Sequence, residues 1–521
     1  MLVKTYSAVI QGIEALPVDV ELDNSRNRQT HVSIVGLPDA AVRESWARVE
    51  TACRSCLFPV EIGRLVVNLS PGDIRKEGTT YDLPIALCFL ASNEVFPGAL
   101  LSKYLIAGEL SLDGSIRPIK GALPFAILAR SMGFDGLILP QENVCEAAVV
   151  NRLAVYGASH LQQVVDFFNG KDSLQAKEID TREMFEQSQA LYKDDFRDVK
   201  GQEQVVRALE VAAAGGHNVL MIGPPGSGKS MMAKRLPSIL PPLTLSESLE
   251  TTKIYSVAGE LKGNESLLKL RPFRSPHHTV SNPALVGGGT QPKPGEISLA
   301  HNGVLFLDEI AEFNKSLLEL LRQPVEDRKI VISRAKATYT YPASFMLIAA
   351  MNPCPCGYFN DPNRACVCPP GAAAKYLRRI SGPLMDRIDI QIETKPVHFD
   401  QLAQRTDSEP SASIRERVVK ARLLQSQRFA TEKGVYCNAQ MSPDLVKRFV
   451  VLSEEAIRVL RQAMLRFDLS ARAYDRILKV ARTVADLDGA DTVQVKHIGE
   501  AVMYRNLDRS GWGDIASVPF R

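Results

Sequence analysis

Residues 218–230 read NVLMIGPPGSGKS: a short apolar run, a glycine-rich turn, then Lys229 and Ser230 opening a segment, SMMAKRLPSIL, with helical spacing. Four apolar residues between turn signals, Val219 to Ile222, fit a strand buried on both faces, as in a parallel sheet. The octapeptide Gly223, Pro224, Pro225, Gly226, Ser227, Gly228, Lys229, Ser230 matches GxxxxGK[ST]. A strand feeding such a loop into a helix turns successive backbone N–H groups toward phosphate oxygens. The lysine neutralises their charge and the hydroxyl holds a magnesium ion. The stretch therefore predicts a nucleotide-binding α/β core.

Two more apolar runs are the expected sheet neighbours, GVLFLDE at 303–309 and SFMLIAAMN at 344–352. The first ends in two carboxylates. Asp308 is expected to bind magnesium through water, and Glu309 to polarise the attacking water. Asn352, closing the second run, is placed to orient that water. Arg387 in GPLMDRID and Arg472 in LSARAYDR are guanidinium candidates for developing phosphate charge, although spacing alone also fits surface arginines.

The order GPPGSGKS, VLFLDE, AAMNPCPCG, GPLMDRID, LSARAYDR resembles the magnesium-chelatase-like branch of AAA+ ATPases, and closely the bacterial YifB/ComM family. The likeness covers nearly the whole chain. It implies ATP and Mg2+ as cofactors, Asn352 as sensor 1, Arg387 as an arginine finger given to the neighbouring subunit, and Arg472 as sensor 2 of the lid. A finger acting in trans implies a ring, and related motors are hexamers, so a homo-hexamer is expected.

At 521 residues the chain is expected to divide into several domains. Residues 1–170 mix strand-like runs (HVSIVGL, LVVNLS) with helical spacing (AAVRESWARVETACRSC, LPFAILARSMG), predicting one α/β domain. The polar stretch 171–195 reads as a linker or exposed helix. Residues 196–395 hold the ATPase core, and from 396 to 521 helical patterns predict an all-helical lid.

The first domain resembles the Lon-protease (S5-type) fold and the terminal domain of the branch-migration protein RadA. By that likeness Thr80, in KEGTTYD, occupies the nucleophile position, and Leu123, in SIRPIKGALPF, the position of the catalytic lysine. Without that lysine a hydroxyl has no obvious base, so a domain inactive as a protease is expected. Lys120, three residues away, is the remaining basic candidate.

The 62 basic and 59 acidic residues give a net charge of +3, which argues against a uniformly basic surface and makes any nucleic-acid contact local. The start, MLVKTYSAVIQGIEALPVDVELD, has no charged leader before an apolar core, and no stretch reaches the roughly 18 apolar residues of a membrane span. A cytoplasmic protein without a membrane partner is expected. Nine cysteines, an odd number, argue against a disulfide framework. Four of them, Cys354, Cys356, Cys366 and Cys368, form CxC-x9-CxC over 354–368, a spacing that points to structural Zn2+, with four free thiols as the alternative. The CxxC of Cys53 and Cys56 reads as a packed helix face, and His277 and His278 as loop residues.

The segment KIVISRAKATYTYP at 329–342 predicts a hairpin with Arg334 and Lys336 at its tip. In ring ATPases of the resembled branch such a hairpin points into the pore, where it can touch phosphates without reading bases. Arg271 and Arg274, beside the insertion ending VGGGT, are the second DNA-contact pair, a solvated face being the plainer reading of either pair. The family likeness implies a DNA translocase or helicase, acting on single-stranded and branched DNA with recombination proteins, that promotes branch migration in homologous recombination and natural transformation. A chelatase-type motor remodelling a protein partner, an ATP-gated scaffold and an ATP-dependent protease are the alternatives.

Overall fold

In the computed structural model, residues 1–25, 31–177, 179, 192–261, 265–289, 292–334, 338–397, 408–505 and 507 are described. The first domain is an eight-stranded sheet whose two longest strands, Leu2–Gln11 and Glu14–Ser25, pair antiparallel around a turn at Gly12. Only a residue tolerant of φ +68° closes that turn without strain. The helix Asp82–Ser92, buried at every residue, packs on one face with Ser45–Ser55, and Ala122–Met132 covers the other. The stretch predicted as linker begins later than residue 171. Leu174 is buried in the first core, and Ala176–Lys177 adds an edge strand to Ala154–Ala158.

The ATPase core is a five-stranded, all-parallel sheet in the order Phe273–Arg274, Val304–Leu307, Met346–Met351, Val219–Ile222, Ile390–Glu393. Its three central strands are buried at every position, as strands covered on both faces must be. The lid helices Ser411–Arg428 and Ala471–Leu487 pack on the helix Glu203–Gly215, so lid and sheet share one apolar core. No helix among the described residues is long and apolar enough to cross a membrane.

The first domain docks on the core through the helix Leu245–Ala258. The Gly121 N–H donates to the Ser256 carbonyl at 3.1 Å, Lys253 pairs with Glu14 at 2.5 Å, and Ile13 packs against the core's apolar clusters. Thus the Gly12 turn carries its neighbours onto the ATPase.

Inside the lid, Asp486 has a fully buried side chain and accepts from Arg428 (2.5 and 2.9 Å), Arg482 (3.1 Å) and Asn438 (2.7 Å). Removing that carboxylate leaves two guanidinium groups without their counter-charge. Asp486→Ala is expected to destabilise the lid by about 3–5 kcal/mol. A lower denaturation midpoint checks this, and a midpoint equal to wild type would show that the network does not hold the lid.

Candidate ATPase site

The phosphate loop follows the strand Val219–Ile222 and precedes the helix Lys229–Arg235. Gly226 and Gly228 have φ of +78° and +84°, the left-handed turns that aim the loop's N–H groups inward. Gly223 is required for a different reason: a Cβ there would meet the Thr394 Oγ1 at 2.0 Å. Thr394 and Gln202 brace the loop from behind. Thr394 Oγ1 lies 2.7 Å from Ser227 Oγ, and Gln202 Nε2 donates to the Lys395 carbonyl at 2.6 Å. Neither residue carries a motif, so sequence reading passes over both.

Lys229 donates to the carbonyls of Gly223 (2.7 Å) and Pro224 (2.9 Å), which holds its ammonium over the cradle. Burial lowers its pKa to about 8 against the pull of Asp308 and Glu309, so it stays largely protonated at neutral pH and gains from a phosphate nearby. Ser230 Oγ donates to Asp308 Oδ2 at 2.5 Å. A hydroxyl and a carboxylate converging there form a donor set that fits Mg2+. Glu309, at φ +50°, follows with an exposed carboxylate, and its N–H donates to Asp308 Oδ1 at 3.0 Å. His278 stands 4.0 Å from Glu309, a proximity that its loop setting in the sequence does not reveal.

Asn352 follows the strand Met346–Met351, which lies beside Val219–Ile222, so it emerges at the same end of the sheet as the loop. The cysteine segment begins two residues later. Sγ separations are 3.3 Å (Cys354–Cys356), 3.7 Å (Cys354–Cys366) and 3.5 Å (Cys356–Cys366), and all four sulfurs lie within 4.8 Å of one another. Four sulfurs about 2.3 Å from one tetrahedral ion would be about 3.8 Å apart, so the cluster fits zinc. Burial opposes ionisation of Cys356, but the N–H groups of Tyr358 and Val367 outweigh it and hold the thiol below its ordinary value. The cluster also touches the phosphate loop, because a Cβ on Gly357 would lie 2.8 Å from Pro225 Cδ.

Arg387 sits at the other end of the sheet. Its carbonyl accepts from Asn218 Nδ2 at 3.0 Å, and Asn218 precedes the strand that Gly223 follows. Four strand residues separate the two ends by about 13 Å. The Arg387 guanidinium pairs with Glu326 and donates to the Pro383 carbonyl at 2.7 Å, lining an open cleft with Glu319, Arg322, Gln323 and Asp327. Arg472 comes to the same edge, pairing with Asp386 at 2.6 Å from the N-terminus of its lid helix.

The second predicted DNA pair is held by partners within the chain. Arg271 is bound to Glu247 and to the carbonyls of Pro241, Pro242 and Asn302, and Arg274 to Glu296 (2.6 Å) and Glu260 (3.0 Å). Both guanidinium groups are paired within the chain, which makes the hairpin the more open of the two predicted contacts. The hairpin is formed as expected, Lys329–Ser333 against Thr338–Pro342, with Arg334 exposed at its end. Lys336 lies outside the described residues. In the first domain Leu123 is fully buried, and the Lys120 side chain lies against Gly259 of the core. Cys53 is buried and Cys56 packs beside Asp113, the packed face expected of them.

A family model described as magnesium chelatase, subunit ChlI, matches residues 195–402. Models described as subunit ChlI of Mg-chelatase and as its C-terminal part match 20–143 and 408–505. The chain is 41% identical to the uncharacterized protein YifB of Salmonella typhimurium over 501 residues, 96% of each chain. It is 41% identical to competence protein ComM of Haemophilus influenzae over 506 residues, 97% of each. Lon protease 2 of Bacillus subtilis is 32% identical over 154 residues, 27% of this chain and 26% of that one.

The contact between Gly357 and Pro225 gives a test that separates backbone strain from contact. Gly357 and Gly371 both have positive φ (+85° and +76°), but a Cβ on Gly371 meets nothing within 4 Å. Gly357→Ala is expected to weaken ATP binding about fivefold or more, whereas Gly371→Ala, with similar strain of about 1 kcal/mol, leaves it unchanged. Titration with a fluorescent nucleotide decides, and equal affinities for the two variants would remove the contact from the site.

Proposed function

The chain belongs to the YifB/ComM family of magnesium-chelatase-like AAA+ ATPases, and from that premise we propose that it works as a homo-hexameric ring that moves along DNA. The observation that carries the reading is the position of Arg387 at the end of the sheet opposite the phosphate loop. A guanidinium there is out of reach of the chain's own nucleotide and is presented to the nucleotide of a neighbour.

In this reading the loop N–H groups of 223–230 and Lys229 hold the phosphates, while Ser230 and Asp308 hold Mg2+. Glu309 polarises the attacking water and Asn352 orients it. Arg387, with Arg472 beside it, stabilises phosphate charge across the subunit boundary. Zn2+ on Cys354, Cys356, Cys366 and Cys368 is structural and stiffens the segment between Asn352 and the loop. The hairpins carrying Arg334 and Lys336 grip the DNA backbone, and turnover moves them along it. The similarity to a competence protein supports single-stranded and branched DNA as the substrate, with branch migration during recombination and natural transformation as the outcome. The chelatase-subunit matches leave one rival, a motor remodelling a protein partner.

Purified protein with forked and three-strand substrates should displace strands only with ATP, and Lys229→Ala should abolish this. No displacement, together with hydrolysis that DNA does not stimulate, would favour the protein-remodelling rival. Ring geometry has its own readout. Arg387→Ala alone is expected to lose about 100-fold or more in turnover. Mixing it with Lys229→Ala should restore part of the activity, since one variant supplies the pocket and the other the finger; mixtures that stay inactive would contradict sharing.

A further inference from the structure

Lys120 stands just ahead of the helix Ala122–Met132, and Gly121 is tied to Ser256 of the ATPase core. The lysine stem runs along the end of the core helix Leu245–Ala258: a Cβ on Gly259 would sit 2.6 Å from its Cε and 3.0 Å from its Nζ. Across from it is Lys293, exposed on the two-residue strand Lys293–Pro294, which packs on the same core helix and brings its charge next to Lys120. Lys293 is in register with Gly288, and the Arg334 guanidinium donates to the next carbonyl, Gly289, at 3.3 Å. Three cations from three segments, the first domain, the glycine-rich insertion and the hairpin, thus follow one another along one surface.

Two neighbouring ammonium groups repel each other, and a nearby carboxylate would normally relieve this. The nearest candidates are taken. Glu260, adjacent to Gly259, and Glu296, three residues after Lys293, both pair with Arg274. Burial, followed by the Lys293 charge, holds Lys120 below its ordinary value, and among the described residues no carboxylate offsets them. Arg274 thus holds both acids in ion pairs of its own. What suits two unpaired ammonium groups is an anion shared between them, and the line they make with Arg334 suits a chain of anions.

We propose that Lys120 and Lys293 form a phosphodiester-binding step that continues the Arg334 hairpin contact onto the first domain, so that a DNA strand is held by both domains at once. This rests on the DNA reading above and adds a site to it. The test measures binding of a fluorescein-labelled single-stranded oligonucleotide by anisotropy between 50 and 200 mM salt, with the full chain and a non-hydrolysable ATP analogue. Each phosphate contact on a single strand contributes about 0.7 to the slope of log affinity against log salt. The double variant Lys120→Ala/Lys293→Ala is expected to bind about fivefold or more weakly with a slope reduced by about 1. Lys120→Arg/Lys293→Arg should recover the slope, because charge is what matters.

An alanine variant with the wild-type slope, or an arginine variant as weak as the alanine one, overturns the proposal while leaving the DNA reading standing. Inorganic triphosphate that displaces the oligonucleotide from wild type and from the alanine variant equally well would also overturn it, by placing the competition elsewhere. Wild-type protein that binds no oligonucleotide at any salt sinks the DNA reading itself, and this site with it.

Discussion

An all-parallel sheet has one direction, and the remainder of the ATPase depends on that. Every strand from Phe273–Arg274 to Ile390–Glu393 points the same way, so loops after strands gather at one edge and loops before strands at the other. The phosphate loop, the Asp308–Glu309 pair and Asn352 each follow a strand. Arg387 precedes one. No local rearrangement brings these together while the sheet is intact, and its three central strands are buried at every position. The proposed sharing of chemistry between copies is therefore a consequence of strand direction before it is a property of any single arginine.

The same edge explains why the cysteine cluster matters to the proposed site. The segment 352–357 leaves the sheet next to the phosphate loop and must turn back at once, which Gly357 does with φ +85° against Pro225. Asn352 and Cys354 are separated by one proline, so a metal closing the four sulfurs would restrict the backbone on which the Asn352 amide, proposed to orient the water, stands. Thr394 and Gln202 do the corresponding work on the other side of the loop through hydrogen bonds. The loop is thus gripped from both flanks, by contacts of different chemistry.

Features set by short stretches of chain were legible in the sequence. The phosphate loop, the three buried strands, the 329–342 hairpin and the cysteine cluster each depend on residues within about twenty positions, and each is found where the patterns put it. Features set by distant partners were not. Nothing around Arg271 announces that Glu247 lies 24 positions earlier on a helix facing it, nor that Glu260 and Glu296 will close on Arg274 from both sides. An arginine in a loop looks free until the carboxylates around it are known. The edge strand Ala176–Lys177 was hidden for a related reason: its two exposed residues have no apolar alternation, and only pairing with Ala154–Ala158 identifies them.

The first domain meets the core through residues at two of its turns. At the position that likeness to Lon assigns to a catalytic lysine, Leu123 is fully buried, so its side chain serves packing. The nearby lysine has not moved in to replace it. Lys120 reaches outward, along the core helix that the domain rests on, and Ile13 and Glu14 at the Gly12 turn reach toward the same helix. The domain's polar contacts to the core, Glu14 with Lys253 and the Gly121 N–H with the Ser256 carbonyl, both fall on that one helix, so the helix fixes how the two domains meet.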